Sequence, residues 1–326
     1  MPASIERAGA GFVRAGRWVF GTGLRAASGP ALFERMREAL GATGSSLSQV
    51  VRLDQYYPDA RYVPDYHRAR KQAFGEGHIA PSTSVIVESL RDAESQMDVQ
   101  VIASDHATQP VQAGLNRPDA SGYTPCLRVG DLIFVAGQLA RDATGGLAAR
   151  GTVAETEYLL RNRFAPALEA AESGLDLLLK AQVYLSQPQD AAEFWRAWSG
   201  RFADSVPPTT VVSLPHRAFL TAEATVEINV IAAHRSAQPR IRQIAGGARL
   251  LEGLLFLPGL NGRDMDDVMQ KARPMLAAAG GDPARLVRTL IFTAELARLG
   301  TPAPPFTAVK VPAGLTVDLW GYAAQP

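Results

Sequence analysis

One cysteine in 326 residues leaves nothing for it to bridge, so no intrachain disulfide framework supports this fold, which fits a reducing compartment. An excess of one charge is also missing. The 33 basic and 32 acidic side chains leave a net +1, which makes no field to recruit nucleic acid or an anionic membrane. No run approaches the ~18 apolar residues of a membrane span, and residues 1–17 lack the apolar stretch of a secretory signal. The expectation is a soluble, cytoplasmic protein that meets a small-molecule metabolite, with neither nucleic acid nor membrane as a partner. Its five histidines are scattered without metal-ligand spacing. Nucleotide loops and a Gly-x-Ser-x-Gly elbow are missing too, so neither metal nor cofactor is expected. Cys126, inside an apolar strand, reads as a small core residue rather than a nucleophile.

What is present repeats. Gly130-Asp-Leu-Ile-Phe-Val-Ala-Gly-Gln138 reads as a buried strand closed by a tight turn. Gly16-Arg-Trp-Val-Phe-Gly-Thr-Gly23 and Glu252-Gly-Leu-Leu-Phe-Leu-Pro-Gly259 share its form, with Phe20, Phe134 and Phe256 each three residues before the closing glycine. A second marker follows each, a β-prone run with one basic residue and an aromatic four positions later: Arg52 with Tyr56, Lys180 with Tyr184, Arg288 with Phe292. Pro-led runs come third (Pro81-Ser-Thr, Pro207-Pro-Thr, Pro304-Pro-Phe), and each copy closes on Met97-Asp-Val-Gln-Val-Ile-Ala103, Val226-Glu-Ile-Asn-Val-Ile-Ala232 or Val317-Asp-Leu-Trp-Gly-Tyr-Ala323. Four markers in one order, three times, define an internal repeat.

Between the markers the spacing predicts helices over 30–43, after a Ser28 cap, and 264–279, opened by Asp264. Another follows Thr152-Val-Ala-Glu155, which has the spacing of a capping box. Second helices are expected near 63–74 and 190–202, while the third copy is too short for one. The second copy is longer between Gly137 and Lys180, and Thr144-Gly145-Gly146 suggests an extended hairpin over 139–152. Linkers fall at 104–122 and 234–240. Such a sheet with helices on one face leaves its other face needing a partner.

These markers resemble the RidA (YjgF-type) family, most closely over 123–233, clearly over 16–103, and in shortened form in the last third. The resemblance implies an α+β fold of three tandem RidA/chorismate-mutase-like repeats, over 1–110, 111–238 and 239–326. They would close a central β-barrel with helices outside, the third repeat lacking one helix. The chain would be a pseudo-trimeric monomer with clefts between repeats, further homodimerisation being left open. The few lysines do not recur with serines as the Ser–Lys dyads of the similarly threefold cyanuric acid hydrolases require. The family's best-known activity is cofactor-free hydrolysis of enamines and imines. An Arg in its Pro-x-Arg segment holds the substrate carboxylate, and a Glu in the last strand assists water. Here the Arg positions read as Thr83, Thr209 and Phe306, and the Glu positions as Gln100, Asn229 and Trp320.

The expected catalytic residues are therefore Tyr123, Thr209, Asn229 and His67, the last as a general base titrating near neutrality. Gly137, Gln138, Thr210, Thr83 and Glu227 are the expected substrate-binding residues. Against these stand plain structural readings: threonine as a strand former, His67 on a solvated helix, Glu227 with Asn229 on an exposed strand face. The function expected is a hydrolase or deaminase-like enzyme acting on a small reactive enamine or imine. The alternative is a non-catalytic small-molecule-binding or regulatory protein.

Overall fold

The three runs marked by a basic residue are strands, Val50–Tyr57, Leu178–Leu185 and Leu286–Thr293, each buried along its whole length. Burial on both faces is why they read as continuous β-prone runs rather than alternating ones. In this computed structural model, which describes residues 5–9, 11–75, 79–115, 122–187, 189–299 and 306–323, each pairs antiparallel with the closing strand of its own third. Those closing strands are Met97–Ser104, Val226–Ala233 and Leu315–Tyr322. On its other edge each pairs in parallel with the strand after the proline marker: Ser82–Ile86, Thr209–Ser213 or Thr307–Lys310. The closing strand then takes the phenylalanine-bearing strand on its far side: Trp18–Ala26, Leu132–Gln138 or Leu254–Phe256. Strand order is thus the same in three successive α+β units.

Register corrects two expectations. Phe20 faces Ile102, Phe134 faces Ile231 and Phe256 faces Trp320. Trp320 therefore corresponds to those isoleucines, and Asp318, two residues earlier, stands where Gln100 and Asn229 stand. Across the parallel pairs Asp54 faces Thr83, Gln182 faces Thr210 and Leu290 faces Thr307. The residues at one position are thus Thr83, Thr210 and Thr307, not Thr209 and Phe306. The doubled prolines caused the slip. Leu53 N donates to the Pro81 carbonyl (3.0 Å) and Ala181 N to that of Pro208 (2.9 Å), so Pro208 rather than Pro207 is the counterpart of Pro81.

A single closed barrel is not formed. Backbone pairing gives separate sheets of six, six and eight strands, and Ser89–Leu90 of the first unit adds to the Thr307–Lys310 edge of the third. Elsewhere sheet edges meet through side chains and isolated bonds, such as Gly259 N to the Thr209 carbonyl at 3.0 Å, instead of a ladder. The inner faces share one core that takes Phe20, Phe134 and Phe256 together with Trp18, Ile231 and Trp320. The outer faces carry the helices.

Gly29–Ala42 starts at Ser28, whose hydroxyl accepts from Ala31 N, and buries Leu32, Phe33, Met36 and Leu40 against the first sheet. Each such side chain contributes about 1.5–3 kcal/mol by leaving water. Val63–Phe74 and Asp190–Phe202 form as expected. Met265–Ala278 is capped by Asp264, which accepts from Asp267 N at 2.9 Å. Between Thr293 and Thr307 the described residues make only the single turn Leu296–Arg298, so the third unit has one long helix.

In the second unit the cap is Gly151, not Thr152. Glu155 does reach back, to Gly151 N (3.2 Å), but its other oxygen ties Thr225 N (2.9 Å). The extended hairpin shrinks to one bridge, Arg141 to Leu147, because Asp142 Oδ1 gathers Thr144 N and Gly146 N into a local turn. Within the 104–122 linker, Thr108–Pro110 becomes an edge strand beside Cys126–Val129; residues 116–121 lie outside the described residues.

Candidate active site at the first–second boundary

Each closing glycine meets the threonine of another unit. A Cβ on Gly137 would press on Thr83, one on Gly259 on Thr210, and Gly23 N donates to Thr307 Oγ1 at 2.7 Å. The three boundaries share this plan and differ in what fills them.

At the second–third boundary Thr210 Oγ1 accepts from Lys180 Nζ (2.8 Å) and donates to Asp318 Oδ1 (2.9 Å), while Lys180 Nζ also reaches the Leu257 carbonyl (2.5 Å). Arg288 closes on Asp318 Oδ2 (2.6 Å) and on Asp54 Oδ2 (3.2 Å). Burial opposes ionisation, but Lys180 and Arg288 outweigh it and hold the Asp318 carboxyl below the ordinary range. This boundary is filled. At the third–first boundary Thr307 donates to Asp98 Oδ1 (3.1 Å), and burial pushes the Asp98 carboxyl up to about 7.

The first–second boundary is open. A cleft of about 80 Å³ is lined by His67, Ser82 and Ser84 of the first unit and by Tyr123, Gly137, Gln138, Leu139, Arg141, Arg163, Leu220 and Glu227 of the second. Thr124 N donates to the Ile79 carbonyl (2.7 Å), which sets Tyr123 against the first unit, 5.9 Å from the Arg70 guanidinium carbon. Behind Gly137, Thr83 Oγ1 accepts from Arg52 Nη2 and from Asn229 Nδ2, both at 3.0 Å. Glu227 is the buried carboxyl of this cleft. A Cβ at Gly137 would collide with its Oε1, so any side chain there displaces the carboxyl from this position. Burial pushes Glu227 up to about 8, with Arg141 opposing. It therefore carries its proton at neutral pH.

The cleft brings together Tyr123, His67, Gly137, Gln138 and Glu227, with Thr83 and Asn229 behind them. It does not contain Thr209 or Thr210. Thr209 turns into its own unit, accepting from Trp198 Nε1 (3.1 Å) and donating to the Pro207 carbonyl (2.7 Å), and Thr210 is consumed at the next boundary. His67 does not titrate near neutrality: burial, with the Arg70 charge adding, pushes it down to about 4. Its neutral ring is a weak base. Glu227 is buried rather than on an exposed strand face, and Cys126 is a buried thiol pushed up to about 12. Sequence reading missed Arg141 and Arg163. Arg141 sits in the extra length between Gly137 and Lys180, which was visible; beside Arg163 the signal was Pro166, a proline inside a helical run, which marks a break in its ladder.

Fold and cleft together define a sheet-and-helix unit of the RidA type with its pocket at a boundary between units. A family model described as Endoribonuclease L-PSP matches residues 114–234. A RutC family protein of Sinorhizobium fredii is 35% identical over 116 residues, covering 34% of this chain and 91% of the relative. One of Pyrococcus abyssi is 27% identical over 136 residues, covering 42% and 98%. Among solved structures, RidA of the Antarctic bacterium Psychrobacter is 25% identical, covering 38% of this chain and 98% of its own, with a TM-score of 0.34. The chain belongs to the RidA (YjgF-type) family. Among the described residues no helix is long and apolar enough to cross a membrane.

Proposed function

We propose that the chain is three divergent RidA-type units closed around a pseudo-three-fold axis in one polypeptide, and that its first–second cleft hydrolyses a small enamine or imine without a cofactor. The observation that carries this is Glu227, a buried carboxyl facing an open cleft beside Gly137, where burial favours its protonated form. Protonated, it donates to the enamine carbon or imine nitrogen. The carboxylate left behind takes a proton from the water that adds to the C=N carbon, and the carbinolamine collapses to carbonyl and amine. Tyr123 and Gln138 orient the substrate, and His67, neutral, serves as a hydrogen-bonding wall. Thr83, Thr210 and Thr307 stand where the family's charged clamp would, and their hydroxyls are engaged within the fold by Asn229, Asp318 and Asp98.

The test supplies 2-iminopropionate and 2-iminobutyrate, generated in place by an amino-acid oxidase, and traps the keto acid. With Glu227 as the acid, kcat/KM declines as pH rises through about 8, and Glu227→Gln costs ~10²–10⁴-fold. Unchanged turnover in Glu227→Gln would sink the assignment. Saturable binding with no acceleration would instead favour the non-catalytic reading, which the filling of the second–third boundary by its own side chains supports.

A further inference from the structure

Two guanidinium groups in the cleft, Arg141 and Arg163, form no ion pair among the described residues, although the Arg141 charge is near enough to act on the Glu227 carboxyl. Arg163 is buried, its Nη2 donates to the Arg141 carbonyl, and its Nε has no partner. Arg141 directs Nε and Nη2 at one acceptor, Thr221 Oγ1 (2.6 Å from Nε). Neither forms an ion pair among the described residues, whereas the buried Arg52 and Arg288 do. A buried cation without a counter-charge costs several kcal/mol, and an anion bound in the cleft would offset that cost.

Local structure points the same way. Arg163 rides on a π-turn, Leu160–Phe164, set between the α-helical stretches Thr152–Leu159 and Ala165–Ala170. Such turns shift the side chains that follow and recur at functional sites. Arg141 lies in the segment that lengthens the second unit and that the other two lack. The neighbouring carboxyl, Glu227, is uncharged at neutral pH and does not repel an anion; the other lining groups, Ser82, Ser84, Tyr123, Gln138 and His67, are neutral donors or acceptors.

We propose that Arg141 and Arg163 form an oxyanion-binding site in the first–second cleft, gripping a carboxylate or phosphate group of the ligand from positions other than the Thr83 position. This rests on the cleft being the working site but not on its catalysing anything. A guanidinium takes a planar oxyanion through two forked donors, which a point-charge ammonium cannot do.

Isothermal titration of the full chain with pyruvate and with inorganic phosphate tests it, with pyruvamide as the neutral control. Saturable binding of one anion and at least tenfold weaker binding of pyruvamide is expected, and which anion binds identifies the oxyanion. Arg141→Gln and Arg163→Met should each weaken that binding ~10-fold or more, with Arg163→Lys retaining part of it. Arg141 is half-buried on a loop, so its variant reads the site even where Arg163→Met fails to fold. No saturable binding of either anion overturns the proposal, as does equal affinity in a folded Arg141→Gln. Anion binding without imine turnover leaves the clamp standing and removes the hydrolase reading; turnover with no anion preference does the reverse.

Discussion

Asp98 and Glu227 occupy one register position, facing Tyr56 and Tyr184 in their respective sheets. Both are carboxyls that burial pushes up, one at a boundary, where Arg25 opposes the shift from 3.9 Å, and one in the cleft. For Asp98 the folded value of about 7 lies above the ordinary 3.8. Between these values the folded chain binds more protons than the unfolded one, so the stability Asp98 allows is full below about pH 4 and lost as pH rises through about 7. The gap between the two values caps the loss at about 4 kcal/mol. Asp98→Asn can still accept from Thr307 and cannot ionise. Chemical denaturation of both proteins at several pH values should show the variant gaining on the parent between about pH 4 and 8. Parallel pH profiles would mean that Asp98 is ionised in the fold.

At the scale of elements, the turn that ends Leu132–Gln138 does the most for the cleft, because it lets the chain pass between Thr83 and Glu227. Gly137→Ala puts a methyl against Glu227 Oε1 and Thr83 Cγ2. The expected result is a ~10-fold or greater fall in turnover, with Tm shifted by a few degrees; unaltered turnover would show that the carboxyl is free to move. This turn was legible in the sequence as a glycine closing an apolar run, as were the caps at Ser28 and Asp264 and the missing helix of the third unit. Signals within one element survive because local hydrogen bonding decides them. The hairpin over 139–152 was not legible: Asp142 offers its own side chain to the loop backbone, and a local turn replaces a ladder. The π-turn was legible only as a break: Pro166 shows that the helical ladder is interrupted there, but not that an i→i+5 turn at Leu160–Phe164 absorbs the interruption.

Across the whole molecule the three basic markers turn out to be one feature. Arg52, Lys180 and Arg288 converge with Asp54 and Asp318 into a buried network, and one layer away Tyr56, Tyr184 and Phe292 meet edge-on, the two hydroxyls 2.9 Å apart. The recurring cations and aromatics were visible in the sequence. The acids were not, because Asp54 and Asp318 come from non-equivalent strands and pair only once three sheets are brought together. Three cations against two anions makes the network asymmetric to charge removal. Lys180→Met leaves two of each sign, whereas Asp318→Asn leaves three cations on Asp54 alone. Breaking a buried pair costs about 3–5 kcal/mol when a charge is stranded. Asp318→Asn is therefore expected at or above that range and Lys180→Met below it, although both delete the same 2.5 Å contact. Denaturant midpoints of the two variants decide it: equal losses would mean that the bond itself, not the charge balance around it, sets the stability of the centre.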